Sequence, residues 1–225
     1  MKKSKKSFYH IFLLLFWPLY LAFFFFIERF ANLTFNSVEC GFDRIIPFCE
    51  FFIIPYVLWY LYLFWIHLYT LIHDVASFKK LMYFLIISFF IACVFFVSYP
   101  TEQSLRPESF PRDNIFTDAV KFLYTIDTNT NVCPSLHVAG SFAVLLTAWN
   151  TKGLNTPFWR FLNIFITLFI TASTVFLKQH SLIDSAAALV LCIAVYPVAF
   201  ILPDKLANSK RLRGKKTVKK AEISI

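Results

Sequence analysis

The sequence predicts an all-α polytopic membrane protein with six transmembrane helices. Three observations carry that prediction. Of 225 residues, 58% are hydrophobic and 16% charged, whereas soluble domains carry about 45–50% and about 25%. Six largely apolar runs approach the roughly 20 residues that a membrane helix needs. The 22 lysines and arginines are also unevenly spread between the loops. The same composition excludes a disordered chain. Five cysteines are too sparse, and odd in number, for a disulfide scaffold.

The first run covers residues 8–27, with His10 near its start. It begins with lysines like a signal peptide, but it is long and no small-residue cleavage site follows, so it reads as a retained anchor. The second covers 47–68 and is interrupted by Glu50 and Pro55. The third, 81–99, carries no charge. The fourth, 134–149, is short. The fifth, 158–177, has Arg160 at its start, and the sixth, 182–202, has Asp184 at its start. Residues 203–225 form a basic tail.

Six crossings put both termini on one side. Sixteen of the 22 basic residues fall on that side and six on the other, which predicts cytoplasmic termini. The net charge of +9 sits mostly in the two tails. It reads as topology and attraction to anionic headgroups, with no nucleic-acid partner expected.

The outer loop from residue 100 to 133 is long enough to suggest function. Within it, residues 115–126 read as a short amphipathic helix at the interface.

Charged and polar residues near a membrane core are functional suspects. They gather here on one predicted face. Arg106 and Pro107 follow the third span. Pro134, Ser135, Leu136 and His137 open the fourth. Lys178, Gln179, His180 and Asp184 form the turn between the fifth and sixth.

His180 and Asp184 are four apart, a spacing that places both on one helical face. Two readings stay open: a buried polar tie, or a carboxylate that orients an imidazole. Pro134 predicts a helix start, where unpaired N–H groups and the positive dipole end suit phosphate. Ser135 adds a hydroxyl, and His137 is placed to exchange a proton. The plain alternative is a capped helix with an interfacial histidine. Arg106 offers a planar fork for phosphate oxygens and Lys178 a point charge, or both snorkel toward headgroups. The set suits phosphoryl chemistry better than a metal site, since no His-x-x-x-His or Glu-x-x-His pairing occurs.

These motifs resemble the type 2 phosphatidic acid phosphatase superfamily. Its pattern is Lys, six residues, Arg-Pro; then Pro-Ser-Gly-His; then Ser-Arg, five residues, His, three residues, Asp. Here the first part reads Tyr99, six residues, Arg106-Pro107. The second reads Pro134-Ser135-Leu136-His137. The third reads Ser173-Thr174, five residues, His180, three residues, Asp184. Order and spacing hold from Tyr99 to Asp184. Tyr99, Leu136 and Thr174 depart from the pattern, removing two cations. Lys178, one turn from His180, is the expected stand-in, with Arg112 a further candidate. The wording around His137 and His180 looks most like the branch that includes inositol phosphorylceramide synthases.

The resemblance implies a six-helix core and metal-independent, cofactor-free chemistry on a lipid phosphate or diphosphate. Phosphatidate, phosphatidylglycerophosphate and polyprenyl diphosphate types stay open. His180 would attack phosphorus, Asp184 would orient it, and His137 would protonate the leaving alcohol. Arg106, Ser135 and Lys178 would hold the phosphate oxygens. Imidazole, whose ordinary pKa is about 6.5, needs little activation near neutral pH. Hydrolysis at the extracytoplasmic face is the leading expectation. Phosphotransfer to an alcohol is the second, and a non-catalytic lipid-binding or transport protein the third.

The remaining polar residues carry weaker expectations. Glu50 is expected as an interfacial carboxylate. His67, His73 and Asp74 are expected at the cytoplasmic interface, away from the site. Cys40, Cys49 and Cys133 share the outer side, which leaves a disulfide open. Asn32-Leu33-Thr34 is a glycosylation triplet.

Overall fold

A computed structural model describes residues 9–30 and 34–209. The lysine run before the first span, Asn32 of the glycosylation triplet and the tail beyond residue 209 lie outside the described residues.

Those residues are mainly helical, with two-residue strands and loops between the helices. A 3-10 turn, Tyr9–Leu15, leads into α1, Phe16–Phe30. Pro18 falls in its first turn, where a missing N–H breaks no helical bond. After the short α2, Gly41–Ile45, a 3-10 turn Glu50–Phe52 leads into α3, Ile53–His73. The helix starts later than the expected residue 47, so Pro55 sits in its first turn and interrupts nothing. A single residue, Asp74, then separates α3 from α4, Val75–Ser98. Its carboxylate caps α4, accepting from the Ser77 amide at 3.1 Å. So tight a turn makes α3 and α4 antiparallel neighbours.

The expected helix at 115–126 is present as α5, Ile115–Ile126, capped by Asn114, which accepts from the Phe116 and Thr117 amides. The bundle closes with α6, Leu136–Asn150, α7, Pro157–Phe176, and α8, Leu182–Tyr196. Pro197 cannot donate to the ladder, and the chain winds as a π-turn to Ile201 before the helix resumes to Ser209. The helix therefore runs past the boundary expected at residue 202.

Five helical stretches are long and apolar enough to cross a membrane: Tyr9–Arg29, Glu50–His73, Val75–Ser98, Pro157–Phe176 and Leu182–Ser209. The sixth expected span is α6. Its 15 residues reach about 22 Å at 1.5 Å each, short of a hydrocarbon core of about 30 Å.

That short helix is the centre of the bundle, packed against α3, α4, α7 and α8. Between helices in lipid the hydrophobic effect is weak, and close backbone approach replaces it. The sequence supplies Ala139, Gly140, Ser141, Ala143 and Ala148, all buried. A methyl group on Gly140 would stand 2.9 Å from the Trp59 indole, so only glycine admits α3 at this distance. Tyr62 of α3 donates to Asn163 Oδ1 of α7 at 2.7 Å. Such a bond averages about 0.6 kcal/mol in membranes, so it sets register more than it adds stability.

One end of the bundle gathers the loops. Cys49 N donates to Phe176 O at 3.1 Å and Ser135 N to Asp184 O at 3.1 Å. Strand β1, Asn36–Ser37, pairs in parallel with β2, Thr101–Glu102. Glu50 anchors this end and is not an interfacial carboxylate. It is fully buried, and takes Arg112 on both oxygens, at 2.6 and 2.9 Å, with Asn114 at 3.0 Å. At the opposite end, Lys80 of α4 meets Asp204 at 2.7 Å.

Candidate active site

His180 and Asp184 do meet, though not on one helical face. α8 begins at Leu182, and His180 lies just ahead of its cap. Ser181 is the N-cap: its hydroxyl accepts from the Asp184 amide at 3.2 Å, while Asp184 Oδ2 accepts from the Ser181 amide at 2.9 Å. This reciprocal capping box bends the carboxylate back over the helix start. The same Oδ2 then lies 3.2 Å from His180 Nδ1. One carboxylate thus caps a helix and fixes an imidazole.

The turn ahead of His180 is shaped by Thr174. Its carbonyl accepts from the amides of Gln179 at 2.9 Å and His180 at 3.0 Å. Lys178 sits between with a left-handed φ of 55°. Its ammonium donates to the carbonyls of Asp43 at 2.5 Å and Ile46 at 2.6 Å. Burial pushes this amine below its ordinary pKa. Lys178 therefore ties α2 to the turn and does not reach the cavity beside His180.

His137 approaches from α6. Pro134 is not the first helical residue as expected; the helix opens at Leu136 with Ser135 as N-cap. Ser135 is wholly buried, and its backbone N–H fixes α6 against α8. The His137 ring lies between Tyr56 and Trp59, with centroids 4.3 and 4.4 Å away. The two histidine rings are 5.8 Å apart. Tyr56 is held in turn by donating to Asp127 Oδ2 at 2.5 Å.

Arg106 stands behind this pair. Its guanidinium lies 4.2 Å from the centre of the Tyr124 ring. It donates to the carbonyls of Tyr124 at 3.2 Å and Asp127 at 2.5 Å, and to Gln179 Oε1 at 2.5 Å. Burial lowers its pKa from the ordinary value, yet an arginine stays charged. Arg106 therefore reaches Gln179, the neighbour of His180, without itself lining the cavity.

Among the described residues, several buried polar atoms near the two histidines have no hydrogen-bond partner. They include His137 Nε2, Arg106 Nε, Gln179 Nε2 and Asp184 Oδ1. An unpaired buried polar group costs about 1–3 kcal/mol, so four around one spot mark a place built for something else. Three of them are nitrogens able to donate, and an oxyanion accepts from such groups.

A cavity of about 610 Å³ opens at His137, Gln179 and His180 and runs between α1 and α3. Its mouth carries Asp127, Thr128, Thr130 and Asn131. Below, its walls are aromatic and aliphatic, down to His67, Leu68 and Leu71. His67 is thus not an interfacial group apart from the site. It is buried in the far wall of the same cavity, with Nδ1 2.7 Å from Leu63 O and Nε2 accepting from Trp17 at 3.2 Å. His73 is exposed, and Asp74 is the α4 cap already described. All five cysteines are free thiols.

The structure thus brings His137, His180, Asp184, Ser135 and, through Gln179, Arg106 together. It leaves out Lys178, and Arg112 is held by Glu50. Sequence reasoning counted Gln179 among the clustered suspects without giving it a role, and missed Tyr56, Trp59 and Asp127 as site residues. Only Gln179 carried a signal, by lying inside the third motif. Comparison with known proteins adds nothing to this picture: no family model, no curated protein and no solved structure matches the chain.

Proposed function

We propose that this chain is an integral membrane phosphatase acting on a lipid phosphate or diphosphate. The observation that carries the reading is the ring of unpartnered buried donors beside a carboxylate-oriented histidine. His180 Nε2 attacks phosphorus, and the bond to the lipid alcohol breaks. His137 gives its proton to the leaving oxygen. His137 then takes a proton from water, whose oxygen attacks the phosphohistidine and releases inorganic phosphate. Asp184 holds Nδ1 and stabilises the imidazolium. Gln179, held from behind by Arg106, and the first amides of α6 hold the oxygens as charge develops. All six helices cross the bilayer, α6 included, with cytoplasmic termini and the site at the outer interface.

The test is phosphate release by detergent-solubilised protein across a panel of lipid phosphates. Release is expected from at least one member, and His180→Ala should abolish it. Release that survives His180→Ala refutes the mechanism. Labelling of residues 101–133 from the cytoplasmic side alone would refute the topology.

A second reading has its own observation. The Asp127 carboxylate and the Thr128 and Thr130 hydroxyls at the cavity mouth are acceptors suited to a hydroxylated partner. Water would then be replaced by an alcohol at the second step. Phosphorylated alcohol in place of inorganic phosphate would establish it.

A further inference from the structure

We infer that the α1–α3 cleft is the binding site for one extended hydrocarbon chain, and that the substrate is a single-chain lipid phosphate. This rests on the phosphatase reading for its headgroup and goes beyond it in naming the lipid.

The argument begins with α1. One face of this helix packs on α4 through aromatic rings: Phe16 and Tyr20 on Phe89, and Phe24 on Phe96, with centroids 5.1–6.1 Å apart. Another face, carrying Trp17 and Leu21 and continued by Leu14 of the preceding 3-10 turn, lines the cavity. These positions recur at three- and four-residue spacing, as one side of a helix does. α3 answers with Tyr56, Tyr60, Leu63, Phe64, Leu68 and Leu71, again one side. α1 is held at both ends of the gap, by the loop before α6 at one end and by α3 at the other. The Glu28 carboxylate takes Thr128, Thr130 at 3.1 Å and Asn131 at 2.5 Å. Trp17 reaches His67 at 3.2 Å. Between these ties the helices stand apart, and α1 keeps most of its surface exposed.

The dimensions choose the occupant. From Tyr56 to Leu71 the cavity follows α3 for about 22 Å, deeper than one leaflet of about 15 Å of hydrocarbon. At roughly 30 Å³ per methylene-sized group, an eighteen-carbon chain fills about 540 Å³ and two such chains about 1,080 Å³, so the cavity of about 610 Å³ matches one chain. The chemistry agrees. Polar groups concentrate at the histidine end, and His67 at the far end has already spent both ring nitrogens. A chain in this cleft delivers its phosphate ester to His180.

The test compares phosphate release from butyl phosphate, octadecyl phosphate and dioleoyl phosphatidate. It uses the full chain and the variants Leu68→Trp and Leu71→Trp, which fill the far end. Octadecyl phosphate should be preferred at least tenfold over each of the other two in kcat/KM. Each tryptophan should cut the octadecyl-to-butyl ratio at least fivefold. Equal use of the diacyl lipid, or a ratio indifferent to both tryptophans, overturns the inference and leaves the phosphatase reading standing. Should no substrate release phosphate, the phosphatase reading fails, and photo-crosslinking decides the cleft alone. Octadecyl phosphate bearing a terminal diazirine should label the peptide holding Leu68 and Leu71. Label scattered over the lipid-facing helices, with no preference for that peptide, overturns it.

Discussion

His67 and His137 are equally buried, each 8% exposed, and line the same cavity from opposite ends. They differ in what their nitrogens do. His67 has a partner on each side, the Leu63 carbonyl and the Trp17 indole. His137 packs between two aromatic rings and leaves Nε2 without a partner. A histidine whose hydrogen bonds are complete holds a fold together. One whose ring nitrogen is left without a protein partner is available to a ligand. Burial alone does not separate the two.

The largest expected effect tests that contrast directly. His137→Gln and His180→Ala should each lower kcat by at least about a thousandfold, as the loss of a proton-transfer group or a nucleophile does. His67→Gln should cost less than tenfold in turnover. It should instead lower stability by about 1–3 kcal/mol by leaving the Leu63 and Trp17 groups unmatched. Measuring kcat and thermal midpoint on all three separates the classes. A thousandfold loss with His67→Gln would break the contrast.

Asp184→Asn sharpens it at the next level. The asparagine still fits the helix start but stabilises an imidazolium poorly. A loss of about a hundred- to ten-thousandfold in kcat is expected, with KM little changed. A lower thermal midpoint with kcat and KM both preserved would assign Asp184 to folding alone, through its capping box.

Much of this architecture was legible in the sequence, for a physical reason. Spans are written in composition, and α5 in amphipathic spacing and its Asn114 cap. The His180–Asp184 pair was found for the wrong cause: a spacing of four suggested a helix face, and the contact comes from a capping box. Lys178 could not be read, because its two carbonyl partners lie 135 and 132 residues away in sequence and are not encoded locally; Asp43 and Ile46 meet it only in three dimensions. Glu50 and His67 were misplaced likewise. Their partners Arg112 and Trp17 are distant in sequence, and hydropathy sees a polar residue as exposed until such a partner is known.

A smaller effect is expected at Gly140. An added methyl group would press on the Trp59 indole at 2.9 Å, and that indole forms one wall of the His137 site. Gly140→Ala should destabilise by about 1–3 kcal/mol, as overpacking does, and lower kcat several-fold by shifting His137. Gly153→Ala makes the matched control. Its methyl group would meet the Tyr69 hydroxyl, far from the histidines, so stability should fall with kcat retained.

The smallest effect concerns no activity at all. Cys133 is buried against Asp184, and burial and that carboxylate push its thiol up to about 12. The raised value means that the protonated thiol is favoured in the fold, and the thiolate appears only as pH climbs through about 12. Alkylation requires the thiolate. Against an ordinary thiol of pKa about 8.5, Cys133 should react about a thousandfold more slowly near neutral pH, while partly exposed Cys40 and Cys49 label readily. Asp184→Asn removes the negative charge but leaves the burial, so it should speed labelling of Cys133 only in part. Mass spectrometry after timed alkylation at several pH values reads both rates. Rapid labelling of Cys133 in the folded chain would mean that the His180–Asp184 corner is open to water and that the thiol is not held as its burial beside Asp184 implies.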